Sequence, residues 1–166
     1  MHVRLGRGER GAALVEFALV LPVFAMLVFG GFSGAMAYNR KQSIVYAARE
    51  GARYGATVPQ SQCSPTSNCG GKTWAQLVQS VVVARSGGTI TSSSDVCVAL
   101  VSGSSPPTAA SSQFTTSPDG SSACFTDSSD GSTRVQVAIS HGDSINAILL
   151  SIPVNENSQA TARWEP

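Results

Sequence analysis

From Phe17 to Asn39 the chain runs for 23 residues without a formal charge. Coiled as a helix at about 1.5 Å per residue, that run reaches roughly 35 Å, enough to cross a hydrocarbon core of about 30 Å. The apolar stretch of a secretory signal is shorter, about 7–15 residues. The run therefore reads as a membrane helix, and the rest of the chain must be arranged around it.

The residues before it, MHVRLGRGERG (1–11), are polar and glycine-rich, carry Arg4, Arg7 and Arg10, and read as a cytoplasmic leader. The helix is expected to begin near Gly11 or Ala12. Pro22 withholds one helical hydrogen bond and should bend the helix, which membrane helices tolerate. Nothing breaks the pattern at Tyr38, because NRKQSIVYAAREGARYGATV keeps helical periodicity until Thr57–Pro59. Small residues recur at every fourth position: Gly30 with Gly34, then Ala47, Gly51 and Gly55, with Ala48, Ala52 and Ala56 beside them. Such rows let helix backbones approach closely, the main route to helix association in lipid. For any single pair the bland alternative is that alanine and glycine are common. The expected division is a leader at 1–11, a helix at 12–57 with its membrane span at about 17–39, and a head at 58–166.

Past Pro59 the composition changes. Residues 1–57 hold seven Lys/Arg against three Asp/Glu, whereas residues 58–166 hold four against seven. The basic excess belongs to the N-terminal segment, and with 7% aromatics and no basic stripe beyond residue 57 there is no nucleic-acid surface to assign. Cys63, Cys69, Cys97 and Cys124 all follow the apolar run. An even number in a Ser/Thr-rich, charge-poor region suits disulfides in an oxidising compartment. Free buried thiols are the alternative; zinc is disfavoured, because there is no CxxC pair and the one downstream histidine, His141, is isolated. Of the three possible connectivities, Cys63–Cys69 with Cys97–Cys124 is preferred.

KTWAQLVQSVVVARSGG reads as an amphipathic helix with Trp74, Leu77, Val78, Val81 and Val82 inward, stopped by Gly87–Gly88. Residues 86–133 are 22 Ser/Thr out of 48, interrupted by a strand at 96–101. RVQVAIS at 134–140 alternates and gives a second strand, and SQATARWE at 158–165 a third. SINAILLSIP between them fits a short helix or a fourth strand. The expected class is α+β: a long N-terminal helix carrying a small head with a short second helix and an antiparallel sheet of three to four strands. Trp74 and Trp164 read as core or strand-end residues. So thin a core needs its cross-links, each adding on the order of 2–4 kcal/mol.

Glu16 is the anomaly. An ionised carboxylate at the bilayer centre costs at least about 2.5–3.5 kcal/mol. In the first helical turns, near headgroups and the positive helix end, it costs little, which is one sufficient explanation. A cut after Gly11 supplies another. Ala12 then becomes the first residue, Glu16 the fifth and Phe17 the sixth. The new ammonium becomes a counter-ion for Glu16 on the same chain or a neighbouring subunit, neutralising both charges and setting axial register.

Glycine, four small or apolar residues, then Glu-Phe ahead of a long apolar helix resembles the class III signal of type IV pilins and pseudopilins. Within that group, RGERGAALVEFALVLPVF followed by YNRKQSIVYAAREGARYGA is similar to the TadE-like family, minor pilins (pseudopilins) of the tight-adherence, Flp-type pilus used in surface attachment. The likeness covers residues 7–56, and the terminal ATARWE is similar in kind. The resemblance implies cleavage by a prepilin peptidase between Gly11 and Ala12. It also implies delivery by the tight-adherence secretion machinery, residence in membrane lipid, and association with other pilin or pseudopilin subunits.

Charge alone does not orient the chain, since Arg40, Lys41, Arg49 and Arg53 follow the apolar run closely. The cysteines and the resemblance are what put the C-terminal domain outside the cytoplasm. Two other fates remain open: an uncleaved single-pass anchor for an envelope or adhesion module, and release after Ala37 at the A-x-A of GAMAY. For catalysis there is no GxSxG, Walker loop, HExxH or paired acid/base motif, so no catalytic residue and no cofactor is assigned. His141, Asp143 and a serine could be drawn as a triad, but a lone histidine in a Ser-rich chain is usually a surface residue. DSSDG at 127–131, with Asp119, misses the calcium-loop spacing and reads as turns, so no metal is assigned either.

Overall fold

The computed structural model describes residues 7–63, 69–102, 123–127, 131–147 and 150–164. Residues 1–6 of the expected leader, Asp119 and most of the Ser/Thr-rich stretch lie outside them. Helix α1 spans Arg7–Thr57, 51 residues with Pro22 inside. It begins earlier than the glycines at 8 and 11 suggest. A helix already nucleated by a long apolar run extends by adding one bond per residue, and no proline precedes it to stop the extension.

After a 3-10 turn at Gln60–Cys63, helix α2 covers Trp74–Arg85. Its start is a capping box: Gln76 N donates to Thr73 Oγ1 at 3.3 Å and Thr73 N donates to Gln76 Oε1 at 3.0 Å. The inward stripe is Trp74, Ala75, Val78, Gln79 and Val82, rotated from the expected one, which had Leu77 and Val81 in place of Ala75 and Gln79. Gln79 goes inside because its Nε2 donates to Val96 O at 2.8 Å, keying α2 to the first strand. Both Leu77 and Val81 are half-buried.

Strands β1 (Val96–Val101), β2 (Arg134–Ala147) and β3 (Leu150–Arg163) form one antiparallel sheet in the order β1-β2-β3. β1 covers only the first part of β2, from Val101↔Arg134 to Val96↔Ile139. β3 pairs with β2 along its whole length, from Arg134↔Arg163 to Ala147↔Leu150. SINAILLSIP is therefore neither a short helix nor a separate strand; it is where β2 ends and β3 begins. Pro153 is tolerated because β3 is an edge strand.

Strand alternation splits the sheet into two faces. Val96, Val98, Val135, Val137 and Ile139 are buried with α2 and the C-terminal half of α1. Cys97, Ala99, Val101 and Ala138 are buried on the other face with Ala123 and Cys124. Within α1 the buried stripe is Ile44, Ala47, Ala48, Ala52 and Ala56, with Gly51 and Gly55 between them. The outer part of α1 is thus as much a piece of the head's core as α2 is.

The glycines set how close the layers come. A Cβ on Gly51 would stand 2.2 Å from Val82 Cγ2, and one on Gly55 would stand 3.0 Å from Val135 Cγ1 and 3.2 Å from Val78 Cγ2. A valine in a helix is stiff at χ1 and cannot swing away. Gly51→Ala is therefore expected to lower head stability by about 1–3 kcal/mol from overpacking, despite a helix-propensity gain of about 1 kcal/mol. Adding Val82→Ala should make the double variant less destabilised than the sum of the two single changes. Denaturant titration of the head signal in micelles reads both results; additivity would show that the two residues do not collide.

Candidate functional site

Two regions carry the chemistry: the bare N-terminal half of α1, and the collar where that half enters the head.

Gly11, Ala12, Glu16 and Phe17 all lie on α1 and are exposed. Helix geometry sets Glu16 about one turn beyond Ala12. The apolar side chains around and beyond them are uncovered as well: Leu14, Phe17, Leu19, Phe24, Leu27 and Phe32 are each more than half exposed. Among the described residues α1 is the one helix long and apolar enough to cross a membrane. A Cβ on Gly30 or Gly34 would meet nothing within 4 Å, so that pair presents a shallow open face. Ala47, Gly51 and Gly55 differ. Gly51 and Gly55 come close to the chain's own α2 and β2, and Ala47 is buried in the same core.

At the collar, Arg40 of α1 forms an ion pair with Asp143 of β2. Lys41 Nζ donates to Asn157 O of β3 at 2.6 Å. The first two cations after the apolar run thus hold the helix to the sheet, which the linear charge pattern could not reveal. His141 Nδ1 lies 2.8 Å from Asp95 Oδ2, joining β2 to the 3-10 turn before β1. The partners drawn for a triad are therefore engaged elsewhere, His141 with Asp95 and Asp143 with Arg40. Opposite His141 sits Glu156, which is buried and whose Oε2 has no hydrogen-bond partner among the described residues.

Asp143 is held below the ordinary aspartate range. The main cause is the Ser144 N–H at 2.7 Å; burial opposes it, and Arg40 and His141 add to the lowering. A carboxylate with a depressed folded-state pKa contributes stability at neutral pH and loses it as acid takes the pH through that lowered value. Asp143→Asn should therefore cost a little stability at pH 7, the pair being partly exposed. As the pH falls below the free aspartate value of about 3.9 and on through the lowered folded value, its unfolding midpoint should converge with that of the parent chain. A pH series of melting curves checks this; a gap that persists or widens in acid would remove the ion pair from the account.

On the far face of the sheet, Arg134 chelates Asp127 through Nε, at 2.7 Å, and through Nη2. Gln136 accepts from Cys124 N at 3.0 Å and donates to Phe125 O and Asp127 Oδ2. The Asp127 carboxylate of DSSDG is thus occupied by Arg134 and Gln136; residues 128–130 lie outside the described residues. The structure pairs Cys63 with Cys69 and Cys97 with Cys124.

What the described residues define is a small disulfide-bridged α+β head on one helix long and apolar enough to cross a membrane. In that helix, residues 11–53 match the family model described as TadE-like protein. That match lies wholly within α1 and takes in 43 of the chain's 166 residues, so the likeness is one of this helix alone. No curated protein and no solved structure matches it.

Proposed function

We propose that the protein is a minor pilin, or pseudopilin, of a tight-adherence pilus. A prepilin peptidase cuts it between Gly11 and Ala12. The α1 helix crosses the membrane at about residues 17–39, and the head stands outside the cytoplasm. One observation carries the reading: a carboxylate, Glu16, on an otherwise uncharged and exposed apolar helix, inside a family match that begins at Gly11. The freed Ala12 ammonium and Glu16 then pair, within one chain or between neighbours, and Phe17 flanks them. Gly30 and Gly34 offer the open face on which another subunit's helix packs. Because α1 runs unbroken through the scissile bond, the peptidase must unwind it there, and glycine makes that unwinding cheap. The partners are the peptidase, the secretion machinery, membrane lipid and other pilin subunits; the head contributes to surface attachment as part of that assembly.

Intact mass and N-terminal sequencing of membrane-extracted protein test this. Ala12 is the expected first residue. Met1 would leave an uncleaved anchor, and Tyr38 a secreted head. In a piliated host, Glu16→Ala should be trimmed normally yet fail to assemble; normal piliation in that variant would remove the pairing from the mechanism.

A further inference from the structure

We propose that the outer face of α1 above the membrane, built on Arg49 and Arg53, docks a helix of a different subunit that carries two carboxylates one turn apart. The proposal rests on the pilus reading.

The fold splits AAREGARYG, residues 47–55, into two sides. Ala47, Ala48, Gly51, Ala52 and Gly55 are buried against the chain's own head, whereas Arg49 and Arg53 are exposed. At about 100° per residue each arginine stands roughly 160° around the helix from Gly51, so the two share the face opposite the head. Gln42 is exposed and Tyr46 is 55% exposed, and they extend that face towards the membrane. Gln42, Tyr46, Arg49 and Arg53 follow one another at steps of four, three and four, the seam along which one helix accepts another.

Neither arginine is compensated. Among the described residues the ion pairs are Arg40–Asp143, Arg134–Asp127 and His141–Asp95. Glu50, the nearest carboxylate along the helix, is half-buried and joins none of them. Like charges at i and i+4 weaken a helix, a cost that an opposite charge from outside would offset. Positions one turn apart stand about 5–6 Å from each other, and each guanidinium fork grips a carboxylate with two hydrogen bonds. Two carboxylates at the same spacing on a facing helix match that pair. Tyrosine and arginine are also the side chains that most often anchor protein interfaces.

Lipid is the wrong occupant. Arg49 and Arg53 lie ten and fourteen residues beyond Asn39, about 15 and 21 Å along the axis. A headgroup layer is about 5–8 Å deep, so both stand clear of it. A second copy does not fit either. Helix α2 has no Asp or Glu, and the three carboxylates of α1, Glu9, Glu16 and Glu50, are nowhere one turn apart. Among the described residues this chain therefore has no helix complementary to its own ridge.

The test is photo-cross-linking of the full-length chain in the membranes of a piliated host, with p-benzoylphenylalanine in place of Tyr46. The expected product is an adduct with another subunit of the same pilus, mapping to a helix with two carboxylates one turn apart. Arg49→Glu with Arg53→Glu should abolish that adduct. Arg49→Lys with Arg53→Lys should only weaken it, because lysine keeps the charge but not the fork. Lysine at the two mapped carboxylates should restore the adduct to the charge-reversed chain. Both arginines are exposed, so the head should melt as in the parent chain in either double variant. No adduct, an adduct with lipid or with a second copy, or one that survives charge reversal overturns the proposal. If the chain still begins at Ala12 and Glu16→Ala still blocks assembly, the pilus reading outlives that result. If neither holds, that reading falls and the proposal with it.

Discussion

Trp74→Ala should cost the head about 3–5 kcal/mol, the usual range for emptying a large aromatic site in a core. Trp74 is the largest fully buried side chain, 1% exposed, and three parts of the chain meet on it. Its Nε1 donates to Val58 O at 3.1 Å, just past the end of α1. Its ring meets Trp164 edge-on, centroids 6.0 Å apart, just past the end of β3. Its Cζ2 lies against Gly55. A small domain holds about 5–15 kcal/mol in all, so this one change should leave the head close to its unfolding threshold. Trp74→Phe should cost less, about 1–3 kcal/mol, much of it for the Val58 carbonyl left without its donor. Chemical unfolding in micelles, followed by circular dichroism and by limited proteolysis of the head, measures both. The helix should stay membrane-bound while the head becomes cleavable. A loss for Trp74→Ala no larger than for Trp74→Phe would mean that the ring's packing is not what closes the core.

Most elements that a local pattern can encode were legible in the residues. The charge-free run marks α1, the apolar spacing in KTWAQLVQSVVVARSGG marks α2, and the apolar run VCVALV with the alternation in RVQVAIS marks two strands that pair as neighbours. The β2–β3 hairpin escaped for a physical reason. In SINAILLSIP the apolar residues satisfy a helical period as readily as a strand period, and only the pairing of Ile145 with Ile152 decides between them. Gln79 and Gln136 were invisible because a polar side chain goes inside only when tertiary contacts supply its partners. The rows of small residues were legible as packing surfaces but not as whose. A close helix–helix or helix–sheet approach requires the same Ala and Gly whether the partner is another chain or the chain's own head. Gly51 and Gly55 serve the head, whereas Gly30 and Gly34 stay open. At the site, Gly11, Ala12, Glu16 and Phe17 form a local motif and could be found by spacing. Arg40 and Asp143 are separated by 103 positions, a relation no local spacing carries.

Breaking Cys97–Cys124 should cost more than breaking Cys63–Cys69, by an amount the loop lengths set. The separations are 27 and 6 residues. Loop-closure entropy then gives about 3.5 kcal/mol for the first bridge and about 2 kcal/mol for the second. The longer bridge also has a position the shorter lacks. It fastens residues 123–127 over the face of the sheet where Ala99 and Ala138 are buried. That segment supplies the Cys124 N–H, the Phe125 carbonyl and the Asp127 carboxylate that satisfy buried Gln136. Once the bridge is cut, the segment can lift away, leaving Gln136 facing an uncovered sheet and taking Asp127 from Arg134. Cys97→Ser with Cys124→Ser should therefore lower the unfolding midpoint well below that of Cys63→Ser with Cys69→Ser. Adding a reductant to the parent chain should reproduce the larger loss. If the two double variants melt together, the far face is held by its hydrogen bonds alone. A measured loss of that size would favour the proposed side of the membrane, where thiols are kept oxidised.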